Sequence, residues 1–293
     1  DNESQWKKAP KTPDFIDIAN NKKPLQKTYM KMLWDDENLY IYARLYEEHI
    51  WGDITKRDAV IFKNNDFEVF LKPSIIHTNY GELEINALGT VWDLLLNKPY
   101  RLGGKANTKW NIDNLKSDVY ISGTINDPSD KDNYWSTEIS IPLNEILEIN
   151  GPDYKKVKSG DIWRANFSRV QWEHDISNGK YSRKKENNKL KREYNWVWSR
   201  QGQINMHIPE NWGFIYFNDK SEINTDFDLK IDIKTEQYGY ALFEKIKYRE
   251  LKYLNDKAID ERIQLNSKSL KNNNISARLD LFVCDHQPIF EYH

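Results

Sequence analysis

NLYIYARLYE (38–47) alternates without a break: Leu39, Ile41, Ala43 and Leu45 fall on one side, Tyr40, Tyr42, Arg44 and Tyr46 on the other. Successive side chains of an extended chain point to opposite faces, so this is the pattern of a strand with one face on a core. DFEVFLK (66–72) repeats it, setting Phe67, Val69 and Leu71 against Asp66, Glu68 and Phe70. GELEINAL (81–88) sets Leu83, Ile85 and Ala87 against Glu82, Glu84 and Asn86. SDVYISGTI (117–125), YWSTEISI (134–141), DIWRANFSRVQW (161–172) and WGFIYF (212–217) continue the series. WDDEN, LGG, NDPSDKDN, NGP and KSGD supply turns between them. Many short strands with spaced turns and little helix define an all-β fold, an antiparallel β-sandwich over about residues 1–220. Leu39, Ile41, Phe67, Val69, Leu83, Ile85, Ile139 and Phe167 are its expected interior.

One short helix is expected at PLNEILEI (142–149), with Pro142 at its start. Beyond residue 220 the pattern changes. Apolar residues at near-helical spacing run through 236–263, and SARLDLFV (276–283) returns to alternation. Residues 221–293 are too few for a core of their own, so this extension is expected to pack on the sandwich. KYSRKKENNKLKREYN (180–195) is basic and poor in apolar residues, and reads as a solvated hairpin loop.

The 293 residues are 39% apolar and 30% charged, with a net charge of −2, so no global field recruits nucleic acid or an anionic membrane. The single cysteine, Cys284, excludes an internal disulfide or a multi-cysteine zinc site. No apolar run reaches the roughly 18–20 residues of a membrane-spanning helix. Eleven Trp and 17 Tyr exceed what a core of this size requires, and that excess directs the search for a site.

Enzyme signatures are missing: there is no P-loop, no G-x-G-x-x-G, no H-E-x-x-H and no G-x-S-x-G. The six histidines have no metal-binding spacing. Glu68 and Glu84 share a side of two neighbouring strands, and paired carboxyls are the tools of glycoside hydrolysis. Outward glutamates of a strand are more often a solvated face. Asp127, Asp130 and Asp132 lack the glycine and closing glutamate of a calcium loop and read as a turn. Aromatic residues among planar polar groups suit sugars, whose rings have an apolar face and a hydroxyl rim. Asn195 with Trp196 and Trp198, Arg169 with Trp172, and Glu84 and Asn86 with Trp92 each offer that combination.

KMLWDDENLYIYARLYE, RDAVIFKNNDFEVFLKP, YGELEINALGTVWDLLLNKPYR, NFSRVQW and NWVWSRQGQINMHIPENWGFIYF stand in unbroken order from about Lys31 to Phe217. Together they resemble the family 9 carbohydrate-binding modules, and more closely the stand-alone family 9-like proteins of bacteria that live on polysaccharides. The resemblance implies a β-sandwich that clasps a saccharide, often a chain end, between two aromatic rings, without catalysis and in a secreted, periplasmic or cell-surface setting. Structural calcium accompanies that fold in the family. The family's Asn-x-x-Trp element matches Asn195 and Trp198, its D-x-E strand matches Asp66 and Glu68, and NFSRV supplies Arg169. On this correspondence Trp198 is the stacking wall, while Trp196 points the other way into the core. The second ring departs from the pattern: Phe62 stands near the place of a tryptophan, and either Phe62 serves or Trp51, Trp92 or Trp172 takes over. Two other readings remain open: a carbohydrate-active enzyme using Glu68 and Glu84, and an interaction protein on a sandwich that has lost its sugar.

Overall fold

The computed structural model describes residues 4–20, 22–74, 77–151, 156–218 and 281–286. Helix α1 (Ser4–Lys8) precedes β1 (Ile16–Asp17), β2 (Thr28–Trp34), β3 (Asn38–Tyr46), β4 (Asp66–Lys72), β5 (Tyr80–Asn86), β6 (Val91–Leu96), β7 (Ala106–Asn107), β8 (Lys116–Ser122) and β9 (Tyr134–Pro142). Helix α2 (Leu143–Glu148) starts directly after Pro142, as expected of a residue with fixed φ. There follow β10 (Ile162–Gln171), β11 (His174–Ser177), β12 (Lys180–Arg183), β13 (Lys185–Glu186), β14 (Lys189–Leu190), β15 (Tyr194–Val197), β16 (Gly213–Asn218) and β17 (Leu281–His286).

Two layers result. One runs β7-β6-β5-β4-β10, the other β2-β3-β9-β8, and all pairings inside them are antiparallel. β10 is shared along its length. Its first half pairs with β16, and its second half with β15. β17 lies parallel between β16 and β2, and so joins the two layers into one ladder. This strand overlaps the alternating 276–283 stretch. The helix expected over 236–263 and the division at residue 220 fall on residues outside those described.

The inner faces meet over one apolar core. Leu39, Ile41 and Ile139 come from one layer, and Phe67, Val69, Leu83, Ile85 and Phe167 from the other. Burying each such side chain fully is worth roughly 1.5–3 kcal/mol. The alternation of 38–47 thus does what a half-buried strand requires, but Tyr40 and Tyr42 of its second face are buried too, while Tyr46 is exposed. Trp6 of α1 packs with Tyr29, Leu33, Tyr40 and Tyr42 on the outside of β2 and β3.

Turn residues fix the hairpins. Between β2 and β3, Asp35 Oδ1 accepts the backbone N–H groups of Glu37 and Asn38, both at 2.8 Å. Between β5 and β6, Gly89 adopts φ +75°, a left-handed turn conformation that glycine reaches without strain. The basic stretch supplies β12 of one small hairpin, paired with β11 just before it, and both strands of a second, exposed one, β13–β14. Lys184 and Lys191 of that stretch pair with Glu173 at its base.

Candidate functional site

The outer face of the β4-β5-β10 layer is half covered and half acidic. Residues 199–212 cover one half, held by Arg164, which donates to the carbonyls of Pro209, Glu210 and Trp212, and by Asn166, which donates to Ser199 O at 2.8 Å. Under this segment Phe70, Tyr80, Leu94, Met206 and Trp212 form a second apolar cluster. The other half is a strip of carboxyls. Glu68 pairs with Glu84 across the ladder, Asp66 with Asn86, and Phe70 with Glu82.

These carboxyls are not the solvated face that outward glutamates suggest. Asp66, Glu68, Glu82 and Glu84 are 0%, 5%, 6% and 1% exposed. No ion pair reaches any of them among the described residues. Asp66 Oδ2, Glu68 Oε2 and Glu82 Oε2 make no hydrogen bond, and neither does the fully buried Ser168 Oγ, directly opposite Glu68 on β10. Burial pushes the Glu68 carboxyl up to about 7; the Ser168 hydroxyl lies near enough to oppose this, though outside hydrogen-bonding geometry. Burial, then the neighbouring carboxylates, push Asp66, Glu82 and Glu84 well above the ordinary carboxylate range. Asp66, Glu68 and Glu84 each offer one oxygen, all within 4.8 Å of one another.

Aromatic rings flank the strip. Phe62 is 40% exposed and lies nearly parallel to the half-buried Trp92, with ring centroids 6.5 Å apart at 28°. Its backbone is anchored twice: its N–H donates to Glu84 Oε2 at 2.8 Å, and its carbonyl accepts Trp172 Nε1–H at 2.8 Å. On the Glu82 side stands Tyr100, 47% exposed, edge-on to His207 at 4.6 Å. Its His207 neighbour hydrogen-bonds Tyr80 Oη at 2.8 Å, two residues along β5 from Glu82, which sets Tyr100 beside the strip. Burial and then the Glu82 and Glu84 carboxyls raise the Tyr100 hydroxyl above its usual range. Asn195 is half-buried opposite Val170, on the face of Asp66, and its side chain makes no hydrogen bond among the described residues.

Five sequence expectations need correction. Trp198 is 2% exposed and packs edge-on against Phe167 in the core, so it has no free face for a sugar. Trp196, also 2% exposed, belongs to the same core cluster, while Val197 between them belongs to the outer one. The two tryptophans therefore point the same way, as residues one full strand period apart must. Arg169 points inward and is consumed by the protein. It donates to Gln26, Thr28, Gln171 and the Tyr46 carbonyl, and pairs with the buried Glu47 at 3.4 Å. Asn86 is spent on its own turn, accepting from Leu88 and Thr90 and donating to Ile54 O. Trp172 and Trp51 are 7% and 3% exposed and pack in one small cluster with Val170 and Tyr181. Of the expected ligand residues, the structure gathers Phe62, Glu68, Glu84 and Trp92 at one place, while Asn195 lies on the same face two strands from Asp66, across Val170. Asp66, Glu82 and Ser168 join them, readable in the same alternation. Tyr100 joins from the loop after β6, which no local pattern marks.

A separate pocket of about 130 Å³ opens at the end of the sandwich, where Trp172, Tyr194 and Trp196 meet His49 and His174 above Glu47. Its polar floor is satisfied: Glu47 accepts from Gln171 Nε2 at 2.9 Å and from Trp135 Nε1 at 3.1 Å.

No family profile and no curated protein matches this chain. Solved structures do. A Bacteroides uniformis protein provisionally described as carbohydrate-binding aligns over 73% of this chain and 88% of its own, with a TM-score of 0.54 at 12% identity. Family 9 carbohydrate-binding modules of Caldicellulosiruptor kristjanssonii align over 76% of this chain at 13% identity. The cellotriose complex, covered over 89%, has a TM-score of 0.48, and the glucose complex, covered over 92%, has 0.47. The Bacteroides match shows a shared β-sandwich fold.

Proposed function

We propose that the protein binds saccharides, without catalysis, on the outer face of the β4-β5-β10 layer. The observation that carries this reading is the exposed Phe62 ring, nearly parallel to Trp92 and tied through its own N–H to the acidic floor. A pyranose offers an apolar C–H face to such a ring and hydroxyls to the polar groups beside it. Asn195, with no partner of its own among the described residues, is placed to serve as the hydrogen-bonding edge, and Tyr100 as an opposing ring. The carbohydrate-binding description of the Bacteroides protein supports the same class of ligand. On this reading the protein works outside the cytoplasm, where polysaccharides are met.

Glu68 and Glu84 are ladder neighbours on one face. Glycoside hydrolysis assigns distinct roles to two carboxyls set about 5–5.5 Å or more apart. Here Asp66 crowds a third carboxyl within 4.8 Å of both, a like-charge cluster with no separated acid and nucleophile, which supports binding rather than turnover. The test is titration calorimetry of the full chain against a panel of neutral oligosaccharides, with reducing-sugar detection on the same samples. Binding without product, weakened by Phe62→Ala and by Tyr100→Ala but not by His174→Ala in the end pocket, is the expected result. Binding that survives both ring substitutions, or product release abolished by Glu68→Gln, would overturn it.

A further inference from the structure

Positive charge gathers around the end pocket. Residues 173–193 carry seven Lys and Arg against four Asp and Glu, in a chain whose net charge is −2, so this end has a local excess that the total hides. Lys184 and Lys191 are taken by Glu173. The side chains of Lys180, Arg183, Lys185, Lys189 and Arg192 pair with no carboxylate among the described residues.

Arg183 differs from the other four in being held in place. It lies opposite His174 in the β11–β12 register, so the two side chains leave the same face of that hairpin. Its guanidinium stands 4.8 Å over the Trp172 ring, and both His174 and Trp172 line the pocket. The hairpin is fastened to the sandwich through Tyr181, which stacks on Trp51 at 6.1 Å, donates to Asp127 O at 3.1 Å and meets His49 Nδ1 at 3.0 Å. A guanidinium has five N–H donors, and those of Arg183 have no hydrogen-bond partner among the described residues.

We infer that the end pocket and Arg183 beside it form a second glycan site, one for a carboxylate-bearing sugar: a uronic acid unit of an acidic polysaccharide. The rings of Trp172, Tyr194 and Trp196 suit the apolar face of a sugar, and the Arg183 fork suits the carboxylate on its rim. The pocket's own carboxyls do not repel that anion, because Glu47 is matched by Arg169 and Glu173 by its two lysines. About 130 Å³ is well below the roughly 300–1,000 Å³ of a drug-sized site, so a single sugar unit is the scale of ligand. Units beyond it pass over the exposed hairpins, where the unpaired lysines add a salt-screened attraction. A nucleic acid suits this end less well, since the exposed Asp175 and Glu186 interrupt the cations that a run of phosphates would need. The inference takes only the class of ligand from the saccharide reading. Its residues, its place on the sandwich and the charge of its sugar are different, so either can fail alone.

The test is titration calorimetry of the full chain at physiological ionic strength, with galacturonate, glucuronate and mannuronate oligomers. At least one of the three should bind, and its methyl ester, which lacks the charge, should bind about tenfold or more weakly. Arg183→Gln should cost about ten- to a hundredfold, the scale of charge-assisted hydrogen bonds, with an unchanged melting temperature. Lys185→Gln with Lys189→Gln should change affinity by less than about threefold, because screening acts within about 8 Å. Phe62→Ala should leave uronate binding unchanged, and equal acetate, a carboxylate without a ring, should not displace the oligomer. No heat with any of the three, or equal affinity for the methyl ester, would overturn the inference. So would binding that survives Arg183→Gln but is lost with the two lysines, displacement by acetate, or a DNA oligonucleotide that binds more tightly than every uronate. Loss of uronate binding in Phe62→Ala would overturn it too, by moving the acidic sugar to the β4-β5-β10 face.

Discussion

Glu68 and Glu84 face each other across the β4–β5 ladder, 5% and 1% exposed, with no positive charge between them. Like charges placed directly opposite in a sheet destabilise it, and here burial removes the water that would screen them. The folded state answers by holding protons. Glu68 is raised to about 7 against an ordinary 4.5, and Asp66, Glu82 and Glu84 are raised well above their ordinary values.

The sign of the resulting pH dependence follows from linkage. A carboxyl whose folded pKa exceeds its unfolded value stabilises the fold fully below the unfolded pKa. That contribution is lost as pH rises through the folded pKa. The protein should therefore melt progressively lower from about pH 4.5 to beyond pH 7. Calorimetric scans across that range check it. A melting temperature that climbs between pH 5 and 8 would show these carboxyls are already ionised and compensated.

Glu84→Gln isolates the pair. It keeps a carbonyl to accept the Phe62 N–H while removing one charge of the opposed couple. At pH 8 the variant should gain about 0.2–1 kcal/mol, the scale of a cross-strand pair. Urea titration reads this directly. A loss of stability instead would mean that the Glu84 carboxylate is satisfied in a way its neighbours do not reveal.

The two tryptophans of NWVW offer a paired test. Trp196 lies against Tyr194, ring centroids 5.8 Å apart, beneath the Arg169 guanidinium, and Trp198 abuts Phe167. Both rings are core, so Trp196→Ala and Trp198→Ala should each cost roughly 3–5 kcal/mol, the range for deleting a buried aromatic. Chemical denaturation measures both. A Trp198→Ala protein as stable as the parent, but unable to bind saccharide, would restore Trp198 to the site.

The core was legible because alternation alone fixes it. Leu39, Phe67, Leu83 and Phe167 each have a polar or aromatic neighbour on either side, and tertiary packing had only to choose the inner face. What alternation does not carry is which outer face is covered, since the covers come from far along the chain. Trp6 lies over Tyr42, and Met206 and Trp212 over Phe70, across separations no local pattern encodes. The acidic strip was visible as Asp66, Glu68, Glu82 and Glu84, but its burial was not. Arg169 misled because arginine beside an aromatic suits a ligand and an internal clamp equally well. Opposite faces for Trp196 and Trp198 miscount the alternation itself, since a separation of two residues in a strand returns a side chain to the same face.

Arg169 itself supports a stability prediction. Its guanidinium spans both layers, reaching Thr28 of β2, the Tyr46 carbonyl of β3 and Gln171 of β10, beside Glu47. Burial, opposed by Glu47, lowers its pKa to about 10, so it stays charged at neutral pH. Arg169→Met leaves Glu47 buried without its counter-charge, and should cost about 3–5 kcal/mol. Adding Glu47→Gln should recover part of that loss, because the uncompensated charge is then gone. If the double variant is less stable by the sum of the two single losses, the pair is not coupled and its role as a clamp between layers fails.

The proposed saccharide site rests on Phe62, and its substitution separates binding from folding more cleanly than any other residue. The ring is 40% exposed, so Phe62→Ala removes little core contact and should change stability by less than about 1 kcal/mol. Both anchors of this residue are backbone groups, the N–H to Glu84 and the carbonyl from Trp172, and alanine keeps them. The floor beneath the sugar therefore stays in place while the stacking surface is lost. Loss of an aromatic anchor costs about 1–3 kcal/mol of binding, or roughly 5- to 150-fold in affinity. Phe62→Tyr keeps the ring and should bind within about threefold of the parent, a difference of roughly 0.6 kcal/mol. Calorimetric titration with a responding oligosaccharide, run beside melting curves of both variants, reads affinity and stability separately. Phe62→Ala binding like the parent, with its fold unchanged, would take the site off this face of the sheet and leave the end pocket walled by Trp172, Tyr194 and Trp196 as the place to look.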